Sequence, residues 1–118
     1  MTKDELLTRT KEFAHRSVKL TLSLPVNTLG RHLQNQLIRS STSVAANYRA
    51  ACLAQSTKVF ISKLSIVVEE CDESLFWMEF ILDEKIIPEI KVKDIVQEAK
   101  ELTSIFISSR KTVSLNSK

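Results

Sequence analysis

The stretch Ser56-Thr-Lys-Val-Phe60-Ile-Ser-Lys-Leu64-Ser-Ile66-Val67-Val68-Glu-Glu-Cys71-Asp-Glu-Ser-Leu75-Phe-Trp77-Met78-Glu-Phe80-Ile81-Leu82 decides the fold class. Phe60, Leu64, Val67, Val68, Cys71, Leu75, Met78 and Leu82 recur at three- and four-residue intervals, which places them on one face of a helix. Ser56 offers a side-chain oxygen to the first turn. Ile86-Ile87-Pro88 ends the segment, because proline disfavours helical backbone in the residue before it. A helix this long cannot hide an apolar face by itself, so the rest of the chain is expected to supply helices that cover it.

Three further segments meet that expectation. Thr2 followed by Glu5 spells a capping box, and Leu6, Thr10, Phe13, Ala14, Ser17, Val18 and Leu24 form the inward face of a first helix that Pro25 stops. Asn27 or Thr28 caps a second helix with Leu29, Leu33, Leu37, Ser40, Val44, Tyr48 and Ala51 inward, and its many Ser and Ala residues allow a neighbour to approach closely. Val92, Ile95, Val96, Ala99, Leu102 and Phe106 begin a fourth stripe, after which residues 112–118 are expected to fray. The predicted organisation is one domain over residues 1–118, with helices at roughly 3–24, 28–54, 57–85 and 91–111. Short links between long helices predict an all-α, antiparallel, up-down-up-down four-helix bundle.

Composition agrees. The 118 residues are 43% hydrophobic and 26% charged, enough for one core and too few for two. One Gly and two Pro are too few for a turn-rich β fold. A lone Gly30 also excludes phosphate-cradling loops of the P-loop and dinucleotide-binding kinds, and the Gly-x-Ser-x-Gly elbow. Two cysteines and two histidines do not make a four-ligand zinc site. Cys52 and Cys71, in helices joined near Ser56, would stand about 16 Å apart along the axis, beyond disulfide reach. They read as small core residues. No apolar run approaches the length of a membrane span and the N-terminus lacks a secretory signal, so a cytoplasmic protein with reduced thiols and no membrane association is expected.

The net charge of +3 conceals an uneven distribution. Residues 13–68 hold seven bases (Arg16, Lys19, Arg31, Arg39, Arg49, Lys58 and Lys63) and no acid, whereas residues 69–84 hold seven acids and no base. One reading is a basic surface on the first two helices that meets nucleic-acid phosphates through Arg16, Lys19, Arg31, Arg39 and Arg49. The other is mutual neutralisation, with Arg39 and Arg49 facing the acidic stretch within or between subunits. Ile66, Trp77, Phe80 and Ile81 on the third helix, with Ile105 and Ile107 on the fourth, extend the apolar stripes beyond one inward face and predict self-association.

Catalytic and metal patterns are incomplete. Glu12 and His15 have the Glu-x-x-His spacing of a di-iron bundle ligand pair, but the second pair is missing because Leu29 precedes His32. Glu70 and Glu73, one turn apart and followed by Trp77, form either a carboxylate pair suited to acid–base work or a solvated or Arg-paired face. Arg39, Ser43 and Asn47 draw a polar line along the second helix, read as a phosphate or partner contact or as pins that fix helix register. No enzymatic activity, cofactor or metal is expected.

The segment Gln36-Leu-Ile-Arg39-Ser-Ser-Thr-Ser43-Val-Ala-Ala-Asn47-Tyr-Arg49-Ala-Ala-Cys52, with Ser56, Phe60, Lys63-Leu64 and Glu70-Cys-Asp-Glu73-Ser-Leu-Phe-Trp77, resembles the four-helix-bundle proteins named for intervening sequences in large-subunit ribosomal RNA genes. The resemblance covers roughly residues 5–110. It implies an antiparallel bundle assembled as a ring-like homopentamer without enzymatic activity. It also implies kinship with the accessory protein of diversity-generating retroelements, which binds nucleic acid and a reverse transcriptase. On this resemblance Arg39, Ser43, Asn47, Arg49, Glu70, Glu73 and Trp77 are determinants of fold and interface. Leu53, Val59 and Val67-Val68 depart from the family pattern by replacing charged residues, which weakens a phosphate role and widens the apolar surface of the third helix. The sequence thus points to a homo-oligomer that binds RNA or DNA as an adaptor, or else to a scaffold that binds a protein partner alone.

Overall fold

The first three helices begin where a side-chain oxygen meets a free backbone N–H. The computed structural model describes residues 1–116. Helix α1 (Lys3–Thr21) starts with Thr2 Oγ1 accepting from the Glu5 N–H at 3.1 Å. Helix α2 (Thr28–Cys52) starts with Asn27 Oδ1 accepting from the Gly30 N–H at 2.8 Å. Helix α3 (Thr57–Asp83) starts with Ser56 Oγ accepting from the Val59 N–H at 3.2 Å. A 3-10 turn (Glu89–Lys91) after Pro88 leads into helix α4 (Lys93–Asn116). No strand occurs among the described residues.

The helix ends differ from expectation for local reasons. Residues 22–24 wind more tightly than an α-helix, with the N–H groups of Leu22, Ser23 and Leu24 bonded three residues back, so α1 stops at Thr21 rather than at 24. That tightening satisfies the last carbonyls before Pro25 and still buries Leu24. Leu53 and Ala54 do the same after α2. Helix α3 ends at Asp83, before the Ile86-Ile87-Pro88 stretch, because Lys85 turns into the left-handed region (φ 52°). Its N–H then bonds the Leu82 carbonyl at 3.0 Å while the Ile86 N–H bonds the Ile81 carbonyl at 3.3 Å, the Schellman arrangement. The fourth helix starts at Lys93 rather than 91, since residues 89–91 form the 3-10 turn. It runs to Asn116 where fraying from 112 was expected, and Val113 and Ser114 are half-buried there. Ser117 and Lys118 lie outside the described residues.

The lone glycine serves packing. A Cβ on Gly30 would stand 1.8 Å from the Pro25 carbonyl oxygen, so the α1–α2 link folds back on the first turn of α2 only because no side chain is there.

The molecule measures 49 × 21 × 20 Å. Helix α2 has its broadest contact with α3; α1 packs on α2 and α4 on α3, and α1 and α4 meet along a shorter line. Phe13, Leu33, Leu37, Leu64, Met78, Leu102 and Phe106 fill the middle without solvent exposure, each worth roughly 1.5–3 kcal/mol of transfer free energy.

On α3 the buried positions are Leu64, Val67, Cys71, Ser74, Met78 and Ile81, an unbroken alternation of three and four. The expected stripe instead contained Leu75 and Leu82, which are half-buried on its flank, and it placed Ile81 outside the seam. Ser74 holds the seam because small residues face it from α2: its hydroxyl lies 2.9 Å from the Ser40 hydroxyl and 2.9 Å from the Glu70 carbonyl. On α2, Leu29 is 41% exposed and Gly30 takes the inward position. Val18 is half-buried, and Leu20 and Thr21 are buried where α1 meets its neighbours.

Candidate nucleic-acid interface

The polar line on α2 meets the acidic part of α3. Arg39 pairs with Glu70 at 3.2 Å and with Glu73, and the Trp77 indole N–H donates to the same Glu73 carboxylate at 3.2 Å. These bonds, that to Glu73 foremost, raise the Arg39 pKa above its ordinary value. His32 stands edge-on to the Trp77 ring, with centroids 5.4 Å apart. Asn47 donates its amide to the Ser43 carbonyl and hydroxyl at 3.0 and 2.9 Å, which satisfies the asparagine on its own helix. Of the two expectations for Arg39, a phosphate-facing surface and neutralisation by the acidic stretch, the ion pairs with Glu70 and Glu73 are those of the second. Its guanidinium is held by two carboxylates that stack one turn apart on α3 and are thereby occupied themselves.

The remaining expected cations separate. Arg31 and Arg49 are exposed on α2 and 18 positions apart, roughly 27 Å along the axis. Arg16 and Lys19 lie together near the end of α1, lining a groove of about 400 Å³ against the start of α4. Lys91 lines it too, along with Ile90, Asp94 and Ile95. Lys91 escaped the sequence reading because it sits in a link of mixed charge, and only the fold carries that link to the end of α1. Among the described residues, none of Arg16, Lys19, Arg31, Arg49 or Lys91 has a carboxylate within 4.0 Å.

Arg9 also went unsingled. Its guanidinium grips Glu98 of α4 with two bonds of 2.7 and 2.6 Å and reaches Glu101 at 3.5 Å. The bonds to Glu98 raise the Arg9 pKa. Sequence spacing holds no signal for this pair, since its members are 89 positions apart.

The other constellations are dispersed. Glu12 and His15 are both exposed on the outside of α1. Cys52 and Cys71 are free thiols, and burial pushes the Cys71 thiol up to about 12. Among the described residues, no group of three or more His, Cys, Asp or Glu side chains is placed to hold a metal. A groove of about 820 Å³ lies at the other end of the molecule, lined by apolar Leu6, Tyr48 and Phe60 and by the hydroxyl-bearing Ser56, Ser109 and Thr112. Burial, and then the neighbouring Cys52, raise the Tyr48 phenol above its ordinary pKa. No helix among the described residues is long and apolar enough to cross a membrane.

Ile81 is fully buried, while Trp77, Phe80 and Ile105 pack on the core. The extra width is thus largely absorbed within the chain, because α2 and α4 flank α3 on both sides. Exposed apolar side chains include Phe76 (53% exposed) and Ile107 (42%), Leu22, Val26 and Leu29 around the α1–α2 link, Leu53 and Val59 around the α2–α3 link, and Ile90 before α4.

Residues 3–108 match the family model described as 23S rRNA-intervening sequence protein. A crystal structure of a protein of unknown function from the S23 ribosomal protein family of Bacteroides thetaiotaomicron is similar at a TM-score of 0.85 and 32% identity, over 94% of this chain and 99% of that one. Comparison with curated proteins gives no match.

Proposed function

Because the chain belongs to the 23S rRNA-intervening sequence protein family, we propose that it is a non-catalytic, self-associating cytoplasmic adaptor whose α1–α4 groove takes the phosphates of RNA or DNA. One observation carries this reading: Arg16, Lys19 and Lys91 converge on a single groove with no ion-paired carboxylate, whereas Arg9 and Arg39 are spent on carboxylates inside the chain. Clustered, uncompensated cations on a concave surface attract a polyanion and release its counterions. Asp94 in the same groove limits the attraction without cancelling three positive charges. A non-catalytic role fits carboxylates already tied to Arg39 and a buried, protonated Cys71.

We take the four helices as antiparallel neighbours. Arg39 meets Glu70 and Glu73 whereas His32, earlier on α2, meets Trp77, later on α3, as oppositely running helices require. A ring of five copies is the assembly the family resemblance implies, and it would repeat the basic groove around a circle.

Fluorescence anisotropy of a labelled RNA hairpin and a matched DNA duplex, titrated across salt concentrations, tests the groove. The expected result is binding that weakens steeply with salt, and its loss on combining Arg16→Glu, Lys19→Glu and Lys91→Glu. Equal binding by that variant, or none by the wild type at low salt, rejects the reading. A protein-only scaffold is then the better account, and the exposed apolar residues of the α1–α2 link, Leu22 at 74% and Val26 at 88%, favour it.

A further inference from the structure

We infer that the α1–α2 corner of one copy seats on the α3–α4 groove of a second copy. This rests on the self-association in the proposed function and names the two faces that meet.

The corner is apolar and closely braced. Leu22, Val26 and Leu29 are 74%, 88% and 41% exposed, more apolar surface than a tight helix link needs. The Asn27 N–H bonds the Pro25 carbonyl at 3.0 Å, Asn27 caps α2, and Gly30 lets Pro25 lie against the first helical turn. A corner held this way loses little freedom on docking. Arg31, exposed one turn into α2, gives it a positive charge with no carboxylate in ion-pair range among the described residues.

The groove is its chemical complement. Phe76, Phe80 and Val96 line a surface depression of about 400 Å³ between α3 and α4, with Glu79, Asp83 and Lys100 among its other residues. Phe76 is 53% exposed, and its ring is braced edge-on by Trp77 at 4.9 Å and flanked by Phe80 at 6.2 Å. An aromatic side chain fixed by neighbouring rings yet open to solvent is the kind of anchor that dominates interfaces. Among the described residues Glu79 and Asp83 have no ion-paired cation, so an incoming Arg31 meets acceptors that α3 leaves open. Lys100 opposes them as one base against two acids.

The two faces differ, so the contact is head-to-tail. Every copy offers one corner and one groove, and such contacts build rings where the rotation closes and filaments where it does not.

Sedimentation velocity on the full chain tests the assignment with two variants at exposed positions, Leu22→Ser/Val26→Ser and Phe76→Ser. The wild type is expected to sediment as an assembly and each variant as one chain, with unchanged helical circular dichroism. Mixed in equal amounts, the variants should form a one-to-one dimer, because one retains the groove and the other retains the corner. If the wild type assembles and both variants keep its mass, the face assignment is wrong while self-association stands. A mixture that stays monomeric likewise overturns the assignment. A monomeric wild type removes self-association itself.

Discussion

The Ser74 hydroxyl of α3 lies 2.9 Å from the Ser40 hydroxyl of α2, and neither residue is exposed to solvent. Two small side chains therefore occupy the middle of the α2–α3 contact and let the helices approach more closely than two leucines would. We expect Ser74→Leu to lose about 1–3 kcal/mol in urea unfolding, because the added methylenes force neighbours off their preferred rotamers. Undiminished stability would show that the close approach is not required by the fold.

Gly30 is needed for contact rather than for conformation. The methyl of Gly30→Ala would sit 1.8 Å from the Pro25 carbonyl oxygen, so the link must move away from α2. We expect a loss of about 2 kcal/mol or more, which outweighs the roughly 1 kcal/mol by which helix propensity favours Ala at an open site. A thermal midpoint equal to or above that of the wild type would contradict this. The same variant should also weaken assembly if the braced corner is what docks.

Lys85 is the opposite case, a side chain where glycine fits better. Its backbone sits at φ 52° to close the Schellman turn after α3. A non-glycine residue there costs roughly 1 kcal/mol. Lys85→Gly is expected to recover about that much, measured as a raised denaturant midpoint with an unchanged m-value. A lowered midpoint would assign the lysine side chain a stabilising contact that outweighs the backbone cost.

Arg39 tests which cations touch nucleic acid. With its guanidinium about half exposed and bound to Glu70 and Glu73, Arg39→Ala is expected to cost at most about 1 kcal/mol. RNA affinity and its salt slope should stay at wild-type values. A slope shallower by nearly one unit would mean that Arg39 leaves its carboxylates to meet a phosphate.

The four helices were legible in the sequence because stripes of three- and four-residue spacing and the caps Thr2, Asn27 and Ser56 are local signals. The inward face of α3 was less so. The reading preferred Leu75 to Ser74 by hydrophobicity, but the α2 surface opposite is built of serine and alanine, and complementarity across the seam chose the smaller residue. Pro88 announced the end of α3 only approximately, because the left-handed turn at Lys85 that closes the helix has no glycine to mark it. At the candidate site, Arg16 and Lys19 were read as part of a broader surface, and Lys91 joins them through tertiary packing. Arg39 illustrates the general difficulty: a run of bases beside a run of acids fits pairing and exposure equally well until the register of two helices is known.

Cys71 links the core to pH. Burial among apolar neighbours raises its thiol from an ordinary 9.0 to about 12, with the Thr103 hydroxyl pulling the other way. The folded chain keeps this proton when the unfolded chain begins to lose it. The stabilising contribution is therefore complete below about pH 9 and is lost as pH rises towards about 12. Tyr48, also raised, adds a loss of the same sign above about pH 10. Cys71→Ala should be less stable than wild type at pH 7 because it leaves a small cavity, by roughly 1–2 kcal/mol, yet the gap should narrow between pH 9 and pH 10, before Tyr48 contributes. Denaturant titrations of both proteins at pH 7, 9 and 10 measure that gap. A gap that stays constant would mean that the Cys71 thiol ionises as readily inside the helices as outside them, which a residue with no solvent exposure does not allow unless α3 and α4 separate first.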